Sequence, residues 1–370
     1  MPALIEQKFW KNKRVFVTGN TGFKGSWMCL LLQNLGAIVK GFSLEVETKP
    51  SMFVLANIED DIDTEFNNIL NYDALAKSMK SFNPEILIHL AAQPIVQLSY
   101  LKPQETYFTN VMGTVNVLEA GRSCSNLQAI LNITSDKCYE NNEWEWGYRE
   151  NDRLGGFDPY SSSKACAELI TNSYRNSFFS YRNAPNIATA RAGNVIGGGD
   201  WSDNRLFPDL IRSVENQSEL IIRNPDALRP WQHVLDCLSG YLILCQNLYL
   251  NQSLSGSWNF GPDNSDTHTV RWMLNYTKEH FEHSFSWKLD GKATAHESQM
   301  LKLDVNKSKN KLNWQSIWNT EQAIDKTLIW YSDYFASKNL KTTTLNQITE
   351  YQYSAEKAIF NKIHGIEFSE

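Results

Sequence analysis

Arg14-Val15-Phe16-Val17-Thr18 is a β-branched apolar run that passes without a spacer into Gly19-Asn20-Thr21-Gly22-Phe23-Lys24-Gly25, and then into an apolar stretch from Trp27 to Leu35. A strand, a glycine turn and a helix in that order leave few folds open. The glycines let backbone amides approach a pyrophosphate, and the helix amino end adds its partial positive charge. The stretch therefore predicts a dinucleotide-binding turn, with Gly19, Thr21, Gly22, Phe23, Lys24 and Gly25 as its contacts.

The alternation continues down the chain. Ala37 to Leu44 reads as a second strand, Tyr72 to His89 as a helix and strand parted by Asn83-Pro84, and Asn110 to Leu118 as a helix. Leu127 to Ile133 reads as a strand, Tyr160 to about Phe179 as a helix, and Ile187 to Arg191 as a strand. Strands alternating with helices imply an α/β fold with a doubly wound parallel sheet, the Rossmann arrangement, whose ligands lie at the carboxyl ends of the strands. Leu90, Ala91 and Ala92 follow one such end. Small residues there let a cofactor pass over the backbone, and equally let two elements pack closely. Glu45 stands twenty residues after Gly25, where an acidic side chain holds the ribose of NAD, and it equally fits a solvated loop. No Arg lies nearby to receive a 2'-phosphate, which favours NAD over NADP.

Residues 45–71 read as a loop with an acidic cluster (Glu59, Asp60, Asp61, Asp63) on a solvated face. Residues 140–158, with Trp144, Trp146, Tyr148 and Arg149, are a long aromatic loop, either a lid or a packed insert. The run Ala192 to Trp201 breaks regular structure and marks a crossing between domains. The expected division is 1–191 with about 234–262 for the dinucleotide, and 192–233 with 263–335 as a smaller α/β substrate lobe. Residues 336–370 form a polar tail with no assigned chemistry.

A second stretch carries chemistry. Thr134-Ser135-Asp136-Lys137 follows an apolar strand, and Tyr160 and Lys164 stand four residues apart, one turn of helix, behind Pro159. A Tyr ionises near pH ~10, so service as a base at neutral pH needs added positive charge; Lys164 and an oxidised nicotinamide are the expected sources.

The remaining composition narrows the setting. A net charge of -6 without a long basic run argues against nonspecific nucleic-acid binding and for a small-molecule partner. Six Cys are scattered without metal-ligand spacing, so no metal is expected and the thiols are expected to be reduced. The amino-terminal residues carry no signal-peptide core, and no apolar stretch reaches the ~20 residues that cross a bilayer; the expected place is the cytoplasm.

Taken together, Thr18 to Gly25, His89-Leu90-Ala91-Ala92-Gln93-Pro94, Thr109 to Thr114 and Tyr160-Ser161-Ser162-Ser163-Lys164 resemble the extended short-chain dehydrogenase/reductase family, in its sugar-nucleotide-modifying branch. Asn132 to Tyr139, Arg191 to Trp201 and Arg229 to Val234 narrow the resemblance to nucleotide-sugar 4,6-dehydratases, with CDP-glucose as the implied substrate. It covers the chain from about Phe9 to Trp330.

The resemblance implies tightly held NAD, bound also by Asn68, Ile69, Leu90, Ala91, Ala92, Asn110, Tyr160 and Lys164. It implies Gln93, Asn194, Arg205, Arg229 and Asn264 as substrate contacts. In the implied reaction hydride leaves sugar carbon 4, water is lost across carbons 5 and 6, and hydride returns to carbon 6. Tyr160 would deprotonate the 4-hydroxyl and Ser135 would hydrogen-bond it. Where relatives acting on other nucleotides carry an Asp-Glu pair for the elimination, this chain has Asp136-Lys137. Asp136 would be the acid; Lys137 would take the carbon-5 proton if neutral, or steady the enolate if charged. Asn68-Ile69-Leu70-Asn71 replaces the family's Asp-Ile-Arg-Asp. The resemblance further implies a homodimer or higher homo-oligomer and a place in deoxysugar biosynthesis of the kind that serves lipopolysaccharide O-antigen.

Overall fold

The computed structural model describes residues 3–181, 184–263, 265–290 and 300–364. Seven strands form one sheet: β1 (Arg14–Thr18), β2 (Ile38–Ser43), β3 (Asp63–Phe66), β4 (Ile86–His89), β5 (Ala129–Ile133), β6 (Asn186–Arg191) and β7 (Gly256–Asn259). Their spatial order is β7-β6-β5-β4-β1-β2-β3, and every neighbouring pair is parallel. The fold is a doubly wound Rossmann sheet. Its direction of winding reverses between β1 and β4, which is where such sheets open a crevice for ligands. The central strands are wholly buried and, apart from His89 and Asn132, apolar, as a sheet covered on both faces requires.

Residues 45–71 contain β3, an edge strand, rather than loop alone. Asp63-Thr64-Glu65-Phe66 has no apolar run because neither of its faces is deeply buried. The stretch 140–158 is a packed insert: Tyr139 bridges Leu154, Tyr148 bridges Leu303, and the buried Tyr148 ring stacks on Tyr139 at 5.2 Å.

Helix α1 (Phe23–Asn34) starts at Gly22 and is buried continuously from Gly25 to Leu32. A helix apolar on all sides needs cover on all sides. The sheet covers one face. The rest is covered by two helices, Val234–Leu250 and, from the carboxyl-terminal segment, Leu340–His364, which packs also on the helix Thr320–Phe335. Its buried stripe is Leu340, Thr344, Ile348, Tyr351 and Ala355, with Gln347 alongside, a helical spacing built partly from polar residues. Their donors and acceptors turn inward: Thr344 Oγ1 accepts from Trp330 Nε1 at 3.0 Å and Gln347 Nε2 donates to the Lys326 carbonyl at 2.8 Å.

Three short strand pairs flank the sheet's carboxyl edge: Val195–Ile196 with Gln232–His233, Leu228–Arg229 with His268–Thr269, and Leu220–Ile222 with Trp287–Leu289. They make the far wall of the crevice. Among the described residues no helix is long and apolar enough to cross a membrane.

The carboxyl-terminal helix is also held by a buried carboxyl. Asp236 Oδ1 accepts from Tyr351 Oη at 2.9 Å and from the Ile317 amide at 2.6 Å, and burial raises its pKa from 3.8 to about 7. Between about pH 4 and about pH 7 the folded chain keeps a proton that the unfolded chain has released, so stability falls as pH rises through that window. The melting temperature is therefore expected to drop from about pH 5 to about pH 8, and Asp236→Asn to flatten that drop. Equal pH dependence in the two proteins would refute the assignment.

Candidate active site

The crevice between β1 and β4 widens into a cleft of about 920 Å³. At its floor the two strands are laced together: Thr18 Oγ1 pairs with His89 Nδ1 at 2.7 Å and accepts the Ala91 amide at 3.3 Å. Gly19 adopts φ +74, and a Cβ there would lie 2.6 Å from the Ala91 nitrogen, so only glycine lets the turn close on β4. Gly22 caps α1 without any side-chain partner, and the first turn carries no carboxylate. The amino end of α1 thus offers backbone donors and helix-dipole charge to an anion. A Cβ at Gly22 would meet only the Gly19 carbonyl at 3.5 Å, so the space above the turn is open cleft. The donor set fits a pyrophosphate. Thr21, Phe23, Lys24, Gly25, Asn68, Ile69, Leu90, Ala91, Ala92 and also Glu45 line the same half of the cleft.

The other half is built at the end of β5. Ser135 is extended and caps a short turn of Asp136–Cys138; its Oγ accepts the Lys137 amide at 3.2 Å and donates to Asp136 Oδ1 at 2.9 Å. Opposite stands the helix α2 (Pro159–Ser177), entered through Asp158, whose carboxylate accepts from the Ser161 amide at 2.9 Å. With Pro159 in the first turn, this cap sets the helix start so that Tyr160 and Lys164 face the Ser135 turn. Ser135 hydrogen-bonds the Tyr160 phenol, and Lys164 Nζ donates to the Ile133 carbonyl at 3.3 Å.

Burial sets the acid–base state of this pair. It pushes the Tyr160 phenol up to about 12, with Asp136 and Asp158 adding to the rise and the Ser135 hydrogen bond and Arg205 opposing it. It brings Lys164 down to about 8, helped by Lys24 and opposed by Glu168 and Cys138. Burial of the phenol thus outweighs the lowering by the Ser135 hydrogen bond and Arg205. An added cation is what would bring the phenol back toward neutral pH.

On the substrate side, Asn194 in a left-handed conformation (φ 49), Arg205 and Arg229 line the cleft. Arg205 is ion-paired with the buried Asp200 at 3.0 Å. Gln93 and Asn110, expected as ligand contacts, do not line it. Asn110 Oδ1 accepts the Gln93 amide at 2.8 Å, and Asn110 Nδ2 reaches the Gln93 carbonyl at 3.1 Å and Ser163 Oγ at 2.8 Å. Gln93 Nε2 is taken by Thr106 Oγ1 at 2.8 Å. Their hydrogen-bonding capacity is used in bracing the loop after β4 against α2. Asn264 lies outside the described residues.

Residues 16–327 match a family described as GDP-mannose 4,6 dehydratase. The chain belongs to that family. Within it, the chain is 46% identical over 353 residues, 94% of its own length and 98% of the other, to a Salmonella typhimurium protein named CDP-glucose 4,6-dehydratase. A Dictyostelium discoideum dTDP-D-glucose 4,6-dehydratase is 25% identical, covering 68% of this chain and 58% of that one. Among solved structures, a UDP-glucose 4-epimerase of Stenotrophomonas maltophila superposes with TM-score 0.77 at 19% identity, over 88% of this chain and 100% of that one. A dTDP-glucose 4,6-dehydratase of Streptomyces venezuelae does so with TM-score 0.75, also at 19% identity, over 88% and 98%. At such identities the structures share the fold.

In this member of the dehydratase family the cleft rests on an ion pair that motif reading passed over. Glu168, one helical turn beyond Lys164, is buried against Arg191: Oε2 meets Nη2 at 2.8 Å and Oε1 meets Nε at 2.9 Å. Thr189 and Ser257 also donate to Oε2, at 2.7 Å and 3.0 Å, and Thr134 donates to Oε1. A carboxylate on the buried face of a helix was the available signal, since such a charge must be paired. Glu168→Ala leaves Arg191 buried and unpaired and is expected to cost ~3–5 kcal/mol in chemical denaturation. An unchanged midpoint would show that the pair holds nothing.

Proposed function

We propose that the chain converts CDP-D-glucose to CDP-4-dehydro-6-deoxy-D-glucose, a hydro-lyase reaction in deoxysugar biosynthesis, with NAD as its resident cofactor. One observation carries the reading. Asp136 and Lys137, an acid and an amine, sit in the turn directly behind Ser135 and share one cleft with Tyr160 and Lys164. A hydride-transfer enzyme alone has no use for the first pair. The likeness to the Salmonella typhimurium CDP-glucose 4,6-dehydratase supports the choice of substrate.

The glycine turn and the amino end of α1 would hold the dinucleotide's pyrophosphate, and Lys164 its nicotinamide ribose. When bound, oxidised NAD accepts hydride from sugar carbon 4 and returns it to carbon 6, and its ring charge offsets part of what burial adds to the Tyr160 phenol. Tyr160 takes the proton of the 4-hydroxyl while Ser135 hydrogen-bonds the same oxygen. The new carbonyl acidifies carbon 5. A neutral Lys137 would remove that proton, and a protonated Asp136 would give its own to the 6-hydroxyl, so that the carbon–oxygen bond breaks and water leaves. Lys137 then returns a proton to carbon 5. The proton gained by Tyr160 makes up for the one Asp136 gave, and the net change is loss of one water. Arg205, Arg229 and Asn194 hold the diphosphate.

The setting proposed is cytoplasmic, in supply of O-antigen sugars. The molecule is proposed to be a homo-oligomer, which the exposed Leu101, Phe108 and Leu169 support.

The decisive assay incubates the purified chain with NAD+ and CDP-, dTDP-, GDP- or UDP-glucose and follows the 4-keto-6-deoxy product. Turnover of CDP-glucose in preference to the others is expected. No product from it, with turnover of another donor, would overturn the assignment. Tyr160→Phe should lower kcat by about 10²–10⁴-fold. Lys137→Ala should abolish exchange of the carbon-5 hydrogen with deuterated solvent, and full exchange would remove Lys137 from the mechanism.

A further inference from the structure

Asp136 does not hold its own position. Its buried carboxyl takes one hydrogen bond from Ser135, and its other oxygen, Oδ2, lies against the Cα of Gly193, so closely that a Cβ at that position would collide with it. Gly193 is therefore the seat of the acid. The seat is pinned from behind by Gln232, whose side chain is fully buried: Nε2 donates to the Gly193 carbonyl at 3.2 Å and to the Phe260 carbonyl at 3.1 Å, while its backbone amide donates to the Asn194 carbonyl at 3.2 Å.

Two carbonyl acceptors on one side fix which way the amide faces, because only the nitrogen can donate to them. Oε1 must point the other way. It has no partner among the described residues, and Gln232 and Asp136 both line a cavity of about 10 Å³ together with Gly193, Pro230 and Phe260. That is about the smallest space that admits one water, the donor a buried carbonyl oxygen needs. An apolar side chain of the same length would fill the volume but could neither hold the two carbonyls nor anchor the water.

Resting on the dehydration mechanism proposed above, we infer that Gln232 is a positioning residue for Asp136, clamping the Gly193 seat through Nε2 and holding a water against the carboxyl through Oε1. The Gln232 side chain bonds only the Gly193 and Phe260 carbonyls; the contact with the substrate wall, at the Asn194 carbonyl, is made by its backbone amide, which Gln232→Met keeps. Its influence falls on the elimination and leaves hydride removal alone.

The test compares the full-length wild type with Gln232→Met in single turnover with CDP-glucose and NAD+, following reduced nicotinamide by its ultraviolet absorbance and the final product separately. Reduced nicotinamide is expected to form at the wild-type rate and then to persist, with kcat lowered about tenfold to a hundredfold and KM unchanged. In an Asp136→Asn background the same substitution should cost nothing further, since a residue acting only through Asp136 has nothing left to act on. Equal losses in both backgrounds, equal slowing of oxidation and elimination, or a changed KM alone would overturn the inference. If Gln232→Met does not fold, Gln232→Glu, which keeps the length and loses the donor, takes its place with the same expected outcomes. Absence of any CDP-glucose turnover by the wild type would instead count against the function proposed for the site.

Discussion

The Glu168–Arg191 pair is the interaction on which the geometry of the cleft depends. It joins α2 to β6 directly, to β5 through Thr134 and to β7 through Ser257. A buried ion pair contributes little net stability compared with apolar packing, but it tolerates only one arrangement of its partners. That intolerance is useful here. Thr134 immediately precedes Ser135, and Glu168 shares a helix with Tyr160 and Lys164. The Ser135 hydroxyl, the Tyr160 phenol and the Lys164 amine are thus set in one frame.

Within that frame burial acts on the phenol and the amine in opposite senses. It makes Tyr160 hold its proton more tightly and Lys164 hold its own less tightly. On these groups alone the phenol is a poor base. A positive charge entering it favours loss of the phenolic proton, so that proton removal is tied to the arrival of the group that accepts the hydride. The same logic separates the two functional pairs. Tyr160 and Lys164 are carried on a long helix, whereas Asp136 and Lys137 lie on a short turn with Gly193 against the Asp136 carboxyl and Gln232 bonded to the Gly193 carbonyl.

Much of this could be read from residue order alone. The glycine turn was legible because close approach of backbones leaves glycine no substitute, and the sheet because its central strands are mostly apolar and alternate with helices. Other parts were not. Strand β3 is an edge strand with charged residues, and the carboxyl-terminal helix buries Thr344 and Gln347 where an apolar stripe would have announced it. Gln93 and Asn110 show a different limit. Their motifs place them correctly beside the cleft, but sequence cannot say whether a side-chain amide is turned outward to a ligand or spent on its neighbours, as both are. Glu168 and Asp236 were passed over because a charged residue in a sequence looks solvated until the partner that buries it is known.

The helix Leu340–His364 lies far along the chain from α1, the helix it covers. A ribosome delivers these two segments at widely separated times. Until the later one emerges, α1 has only the sheet and the helix Val234–Leu250 to cover it, and the glycine turn at its amino end is carried on a helix whose last neighbour is still to come. Completion of the dinucleotide-binding half waits on residues that take no part in its chemistry.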